Sequence, residues 1–189
     1  MKSASNQASF SPQAFTVLTG KKTILDWFRL DDITEQYIGW LTDPVVVRFS
    51  NQKFKNHTKD SCKAYLSSFQ GTDNLFLKIM DKESQKAIGT MTAYYSSHHQ
   101  TVDVGILIGD RSVWGQGFGL DAWCVFTDWL GEQPLVRKIN AGTMRPNLGM
   151  ARIMEQSGMV LEAVRPGQEL LDGQPQDLLY YGKFTSKCK

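Results

Sequence analysis

The stretch from Asp103 to Glu132 constrains this chain most, because it runs from a strand through three alternating glycines directly into a helix. The strand ends near Ile108. Gly115, Gly117 and Gly119 follow, and Gly117 to Glu132 then carries the apolar period of a long amphipathic helix. A helix N-terminus presents unpaired backbone N–H groups and a partial positive charge, so it attracts anions. Glycines let a phosphate approach those groups without meeting a Cβ, and they permit positive φ. The spacing therefore predicts a turn that holds a phosphate. A glycine-rich loop with no ligand is the alternative.

Several ligand classes can be separated on the same residues. Gly117, Gly119 and Ala122 fit G-x-G-x-x-A, but a dinucleotide fingerprint belongs to a βαβ unit with an acidic residue about 20 positions further on. Here the preceding strands read as antiparallel, and the corresponding later strand offers Asn140. There is no GxxxxGK[ST] and no GxSxG, so neither a P-loop nucleotidase nor a serine hydrolase of the elbow type is supported. The formal charge is only +2, and Lys and Arg form no stripe, which speaks against nucleic acid or an anionic membrane as partner. No apolar run approaches the length needed to span a bilayer. The N-terminus lacks an apolar signal stretch, so a cytoplasmic location is expected. Cys62, Cys124 and Cys188 lie far apart without a CxxC pair, so neither a disulfide framework nor a metal site is expected.

The rest of the chain sets the fold. Residues Met1 to about Gly20 are rich in Ser, Asn and Gln and read as a loose tail, leaving one domain over residues 21–189. Lys22 to Leu30 reads as a strand. Asp32 and Thr34 can cap a first helix and Thr58 a second, with Tyr37, Ile38, Trp40 and Leu41 on one face of the first and Cys62, Tyr65, Leu66 and Phe69 on one face of the second. Val45 to Phe49 reads as a further helical turn. Asn74 to Met80, Ala87 to Ser96 and Thr101 to Ile108 are strands joined by short turns, hence antiparallel neighbours. After the long helix come a strand from Leu135 to Thr143, a helix from Asn147 to Ser157, and a strand from Met159 to Val164. Asp172-Gly173 marks a hairpin into a last strand, Asp177 to Phe184. This order implies an α/β (α+β type) domain, a mixed central sheet with helices on both faces.

Trp114-Gly115-Gln116-Gly117-Phe118-Gly119 resembles the Q/R-x-x-G-x-G/A motif of the GNAT superfamily of acetyl-CoA-dependent N-acetyltransferases. Trp114 departs at the first position, as in the branch that resembles ribosomal-protein and amino-sugar acetyltransferases. Leu41 to Phe49 is similar to the W-L-x-D-P-x-V stretch of that branch, and Asn147 to Met159 to its N-x-x-S-x-x-x-x-E-K-x-G-F helix. The resemblance covers about Thr23 to Phe184. It implies that acetyl-CoA lies in a splay between the fourth and fifth strands, Thr101–Ile108 and Leu135–Thr143. Backbone groups of Ile106, Leu107 and Ile108 would pair with the pantetheine arm, and an N–H there would polarise the thioester carbonyl. Trp114, Gly115, Gln116, Gly117, Phe118 and Gly119 would hold the pyrophosphate, with Asn140 and Asn147 as polar contacts.

The implied reaction is direct attack of an amine on the thioester, for which a base must remove the amine's proton. Asp103 is the candidate, on the strand beside the acetyl position; a solvated strand carboxylate is the alternative. His98 and His99 lie in the adjoining turn and read as exposed loop residues. Glu162 and Glu169 are further acidic residues that could line the amine pocket. Tyr37 and Trp40 lie where the resembling fold places its acceptor helices. At the positions where relatives carry a Ser and a Tyr stand Met150 and Met154, neither of which can donate a proton, so no general acid is named. The expected partner is a small-molecule amine, a nucleotide-linked amino sugar being one such acceptor. A protein N-terminus and a catalytically weak acyl-CoA-binding module are the alternatives. The resemblance also allows a homodimer.

Overall fold

The structure, a computed structural model, describes residues 15–185. Eight strands form one sheet in the order β1-β2-β3-β4-β5-β6-β8-β7. They are β1 (Leu18–Thr19), β2 (Thr23–Trp27), β3 (Leu75–Asp81), β4 (Ala87–Ser96), β5 (Thr101–Ile108), β6 (Lys138–Met144), β7 (Val160–Leu171) and β8 (Gln174–Phe184). Every neighbouring pair is antiparallel except β5 and β6. Four helices complete the fold: α1 (Glu35–Thr42), α2 (Lys59–Ser67), α3 (Phe118–Glu132) and α4 (Leu148–Gln156). The mixed sheet with helices on both faces is as expected. Among the described residues no helix is long and apolar enough to cross a membrane.

The two faces have separate cores. Trp123, Phe126 and Leu130 of α3 and Met154 of α4 pack with Val102, Val104, Ile139 and Ala141 on one face. On the other, Tyr37, Trp40 and Leu41 of α1 and Cys62 of α2 pack with Phe28 and Phe76. Side chains alternate along a strand, so Asp103, Gly105 and Leu107 face the second side, opposite Val102 and Val104. Thr34 and Thr58 cap α1 and α2 as their spacing predicts, each accepting a backbone N–H with its hydroxyl.

Some boundaries differ from expectation for identifiable reasons. Phe15 to Gly20 belong to the fold and not to a tail: Phe15 is 5% exposed, edge-on to Trp27 and Trp129, and Leu18–Thr19 pairs with β2. Residues 1–14, the rest of the expected tail, and Cys188 lie outside the described residues. Val45 to Phe49 makes turns, not a helix, because Asp43 Oδ1 accepts the Val45 N–H as an Asx turn would. β7 runs past Val164 to Leu171. Pro166 and Gly167 are absorbed in a register shift between Arg165 and Glu169. Asp177 holds that irregularity by accepting the Gly167 N–H, and Arg145 in turn holds Asp177. At the hairpin turn Asp172 and Gly173 both take positive φ, the backbone of a type I′ turn.

Candidate active site

β5 and β6 run together only briefly. Thr101, Val102 and Asp103 face Lys138, Ile139 and Asn140, and the pairing stops there. β5 continues alongside β4 and β6 alongside β8, so the two diverge. The result is a wedge with Asp103 and Asn140 at its apex and Ile108 at its mouth. Backbone groups of β5 beyond Asp103 that point toward β6 have no strand to meet there, which leaves an edge on which an extended ligand can pair.

The glycine turn stands at that mouth. Asp110 Oδ1 accepts from the N–H and hydroxyl of Ser112, closing a short 3-10 turn over Arg111–Val113. The Trp114 indole N–H donates to the Ile108 carbonyl at 2.9 Å, and Gln116 Nε2 donates to the Ser112 carbonyl at 2.6 Å. Trp114 and Gln116 therefore brace the turn, and the Ile108 carbonyl is no longer open to a ligand. Gly115 and Gly117 have φ of +73° and +85°, and a Cβ at either would meet nothing within 4 Å. Gly117 caps α3 without any side-chain bond, so the first N–H groups of α3 point into open space beside it. Gly119 has a different task. A Cβ there would lie 3.1 Å from Ile153 Cδ1 and 3.5 Å from Ile108 Cγ1, so this glycine lets α3 approach α4 and β5.

α1 buttresses the same corner. Gly109 leaves room for the Trp40 ring, which a Cβ would strike, and Arg111 pairs with Asp43 at 3.7 Å. This contact explains why the Asp43-Pro44 stretch accompanies the glycine turn. It also revises the expected acceptor role of Tyr37 and Trp40. Both are buried in the second core, where burial drives the Tyr37 phenol well above its usual range. The acceptor side is instead faced by residues that the sequence did not single out for it. Tyr94 stands opposite Asp103 on β4, and its hydroxyl bonds that of Tyr65 on α2 at 2.6 Å. Burial, and then this bond, pushes the Tyr65 phenol upward. Tyr94 was findable: Ala93 and Tyr95 alternate inward, and the four-residue turn to β5 sets the register.

Asp103 reaches solvent at the apex, yet the crowding around it raises its pKa above the usual carboxylate range, with the nearby Lys138 ammonium pulling the other way. Asn140 lies beside it on β6, and Asn147 caps α4, its Oδ1 accepting the Met150 N–H at 3.3 Å. Met154 is fully buried in the main core and Met150 packs partly against it. His98 and His99 are exposed in the turn between β4 and β5. Glu162 bonds Lys138, and Glu169 is half-buried on the β7–β8 hairpin. The tip of that hairpin meets the loop after α1. Asp172 accepts from Arg48, in the loop after α1, at 3.2 Å, and Leu171 is the only buried residue of β7. A concavity of about 700 Å³ between Trp27, Leu66 and Phe76 lies elsewhere and includes none of these residues.

A family model described as an acetyltransferase (GNAT) domain matches residues 22–160. No curated protein matches the chain at the sequence level. Among solved structures, a GNAT-family acetyltransferase from Bacillus anthracis superposes with a TM-score of 0.76 at 15% identity, over 90% of this chain and 99% of that one. RimL, a ribosomal alpha-N-protein acetyltransferase in complex with coenzyme A, gives 0.78 at 11% identity over 92% and 100% of the two chains. Spermidine N-acetyltransferase from Vibrio cholerae, in complex with CoA and spermine, gives 0.77 at 15% over 88% and 98%.

Proposed function

The chain belongs to the acetyltransferase (GNAT) family, and we propose that it transfers acetyl from acetyl-CoA to a primary amine of a small molecule, with Asp103 as the base. The observation that carries this is the wedge itself. Its mouth meets a glycine turn open to an anion, and its apex meets a carboxylate held above its usual pKa.

The residues present fit the cosubstrate. Gly115, Gly117 and the first N–H groups of α3 would hold the pyrophosphate, since nothing fills the space a Cβ would take there. Trp114, Gln116 and Phe118 set the shape of that turn. Backbone groups of Ile106 and Leu107 would pair with the pantetheine arm along the open edge of β5, and Asn140 would line the wedge. Asn147 acts through α4, whose start it caps. Bound acetyl-CoA supplies an activated acyl carbon, to which the amine nitrogen bonds as the C–S bond breaks. Asp103 takes the proton that the ammonium must lose first, and its raised pKa makes it a better base than an ordinary carboxylate. With Met154 buried, the leaving thiolate takes its proton from water.

Spermidine and ribosomal-protein acetyltransferases share the fold, so both acceptor types enter the test. Free-thiol release is followed with acetyl-CoA and a panel of amino sugars, polyamines and peptides with free N-termini. Turnover on the small amines is expected. Turnover on peptides alone would move the assignment to protein N-termini, and CoA binding without turnover on any amine would make the chain a binding module.

A further inference from the structure

On the acceptor face, beside the apex of the wedge, three charged side chains converge. Lys138 faces Thr101 across the parallel β5–β6 pair, and Asn140 faces Asp103 two residues on. Lys138, Asn140 and Asp103 thus share one face. An ammonium so placed is a natural partner for the Asp103 carboxylate, and its attraction is felt there. Yet Lys138 Nζ bonds Glu162 Oε2 at 2.6 Å. The backbone is arranged for this. A register shift between Leu161 and Ala163 sets Glu162 out of the regular pairing of β7 with β8. Gly182 then leaves β8 without a Cβ, which would lie 2.5 Å from the Glu162 carboxyl carbon and 2.6 Å from each oxygen. Two local departures from regular strand therefore let one carboxylate lie over β8 and reach β6. The Phe184 ring, 5.1 Å from Lys138 Nζ, shields the ammonium from another side.

We propose that Glu162 is a positioning residue for Asp103: it holds Lys138 away, and so leaves the Asp103 carboxylate free to receive the acceptor's proton. This rests on the assignment of Asp103 as the base. With Glu162 in place the three charges sum to one negative, which suits an incoming ammonium. Without it they sum to zero, and Lys138 is released toward Asp103. The other groups about Asp103 are Tyr94 on β4, bonded to Tyr65 of α2, and Asn140 on β6. None of them carries a charge at neutral pH. Arg137, on the far side of Phe184, directs its guanidinium to the His99 carbonyl.

The test is a set of pH profiles of kcat and kcat/KM for the full chain, its Glu162→Gln and Lys138→Met variants and the double variant, with thermal melts as a folding control. In Glu162→Gln the acid limb should move down by about 0.5–1 pH unit and kcat fall about three- to tenfold, because a half-buried opposite charge near the surface pulls a neighbouring carboxylate modestly downward. The KM for acetyl-CoA should hold. Adding Lys138→Met should restore the limb and most of kcat. If Glu162→Gln leaves limb and rate unchanged, or the double variant is no better than Glu162→Gln, the proposal is overturned. NMR titration of the Asp103 carboxyl without substrate separates the two assumptions. A downward move in Glu162→Gln, combined with full activity of Asp103→Asn, would uphold the positioning and remove the base. No move in the titration, with an inactive Asp103→Asn, would do the reverse.

Discussion

Asp121 in the first turn of α3 offers a measurable link between the N-terminal strands and the phosphate-holding turn. Its carboxylate accepts the backbone N–H groups of Lys21, Lys22 and Thr23 at 3.0, 2.9 and 2.9 Å, and the Thr23 hydroxyl at 2.7 Å. Gly20 is required beside it, since a Cβ there would strike Oδ2. A carboxylate so near the site of a bound pyrophosphate would repel it, but these bonds turn the charge toward β2. In Asp121→Ala, Thr23 is fully buried, so its N–H and hydroxyl lose a partner that water does not readily replace, at about 1–3 kcal/mol. Lys21 and Lys22 are exposed and rehydrate, losing about 0.5 kcal/mol each. Removing the charge from the helix N-terminus adds about 0.3–1 kcal/mol. The sum is about 3 kcal/mol, or roughly a 6–12 °C fall in Tm for a chain of this size. The pH dependence provides a second check. Burial alone would raise the Asp121 pKa, but the bonds from Lys22, Thr23 and Lys21 outweigh it and hold the group below its usual value. A depressed carboxylate contributes stability above its unfolded pKa of about 3.9, and that contribution fades as pH falls through the folded value. Urea denaturation of wild type and Asp121→Ala from pH 3 to 7 should therefore show a constant gap above about pH 5 that narrows in acid. A gap below about 0.5 kcal/mol at pH 7, or one that does not narrow in acid, would refute the reasoning.

Two further substitutions test the division of labour around the wedge. Gly117→Ala should cost only about 1–2 kcal/mol in urea melts, the strain of a left-handed backbone with no clash, while CoA binding by calorimetry weakens more than tenfold; unchanged affinity would deny the turn its phosphate. Met154→Tyr should not raise kcat, because the side chain points into the main core and not at the wedge, and overpacking there should cost about 1–3 kcal/mol by denaturation.

The residues that were legible from sequence share a property: their signal is local. The caps Thr34 and Thr58 announce helices because one hydroxyl satisfies one nearby N–H. Asp172-Gly173 announces its turn through backbone φ alone, and the glycine turn announces its open left-handed backbone because positive φ and a missing Cβ belong to the residues themselves. What was misplaced depends on residues distant in the chain. Trp40 looked available for an acceptor because a helical face does not reveal that Gly109 waits for its ring. Phe15 looked like part of a polar tail because Trp27 and Trp129, which enclose it, are 12 and 114 positions away. The run of β7 beyond Val164 was missed because what carries the strand past Gly167, Asp177 backed by Arg145, lies elsewhere in the chain.

The same distinction separates the cosubstrate side of the site from the acceptor side. On the reading proposed above, a pyrophosphate would be held by backbone groups of one short segment, so its site would be written contiguously from Trp114 to Gly119. On the same reading an acceptor would meet side chains that the sheet gathers from β4, β5, β6, α2 and the β7–β8 hairpin, here Tyr94, Asp103, Lys138, Tyr65 and Glu162. Each of those is an ordinary surface residue within its own segment. Only the early divergence of β5 from β6 and the irregularity at Glu162 bring them to one place. Substrate choice in such a chain can therefore change through single side chains on five elements without disturbing the turn that holds the cosubstrate. Structures of 11–15% identity keep this fold over nearly the whole chain, as expected where the fold does not depend on those surface side chains.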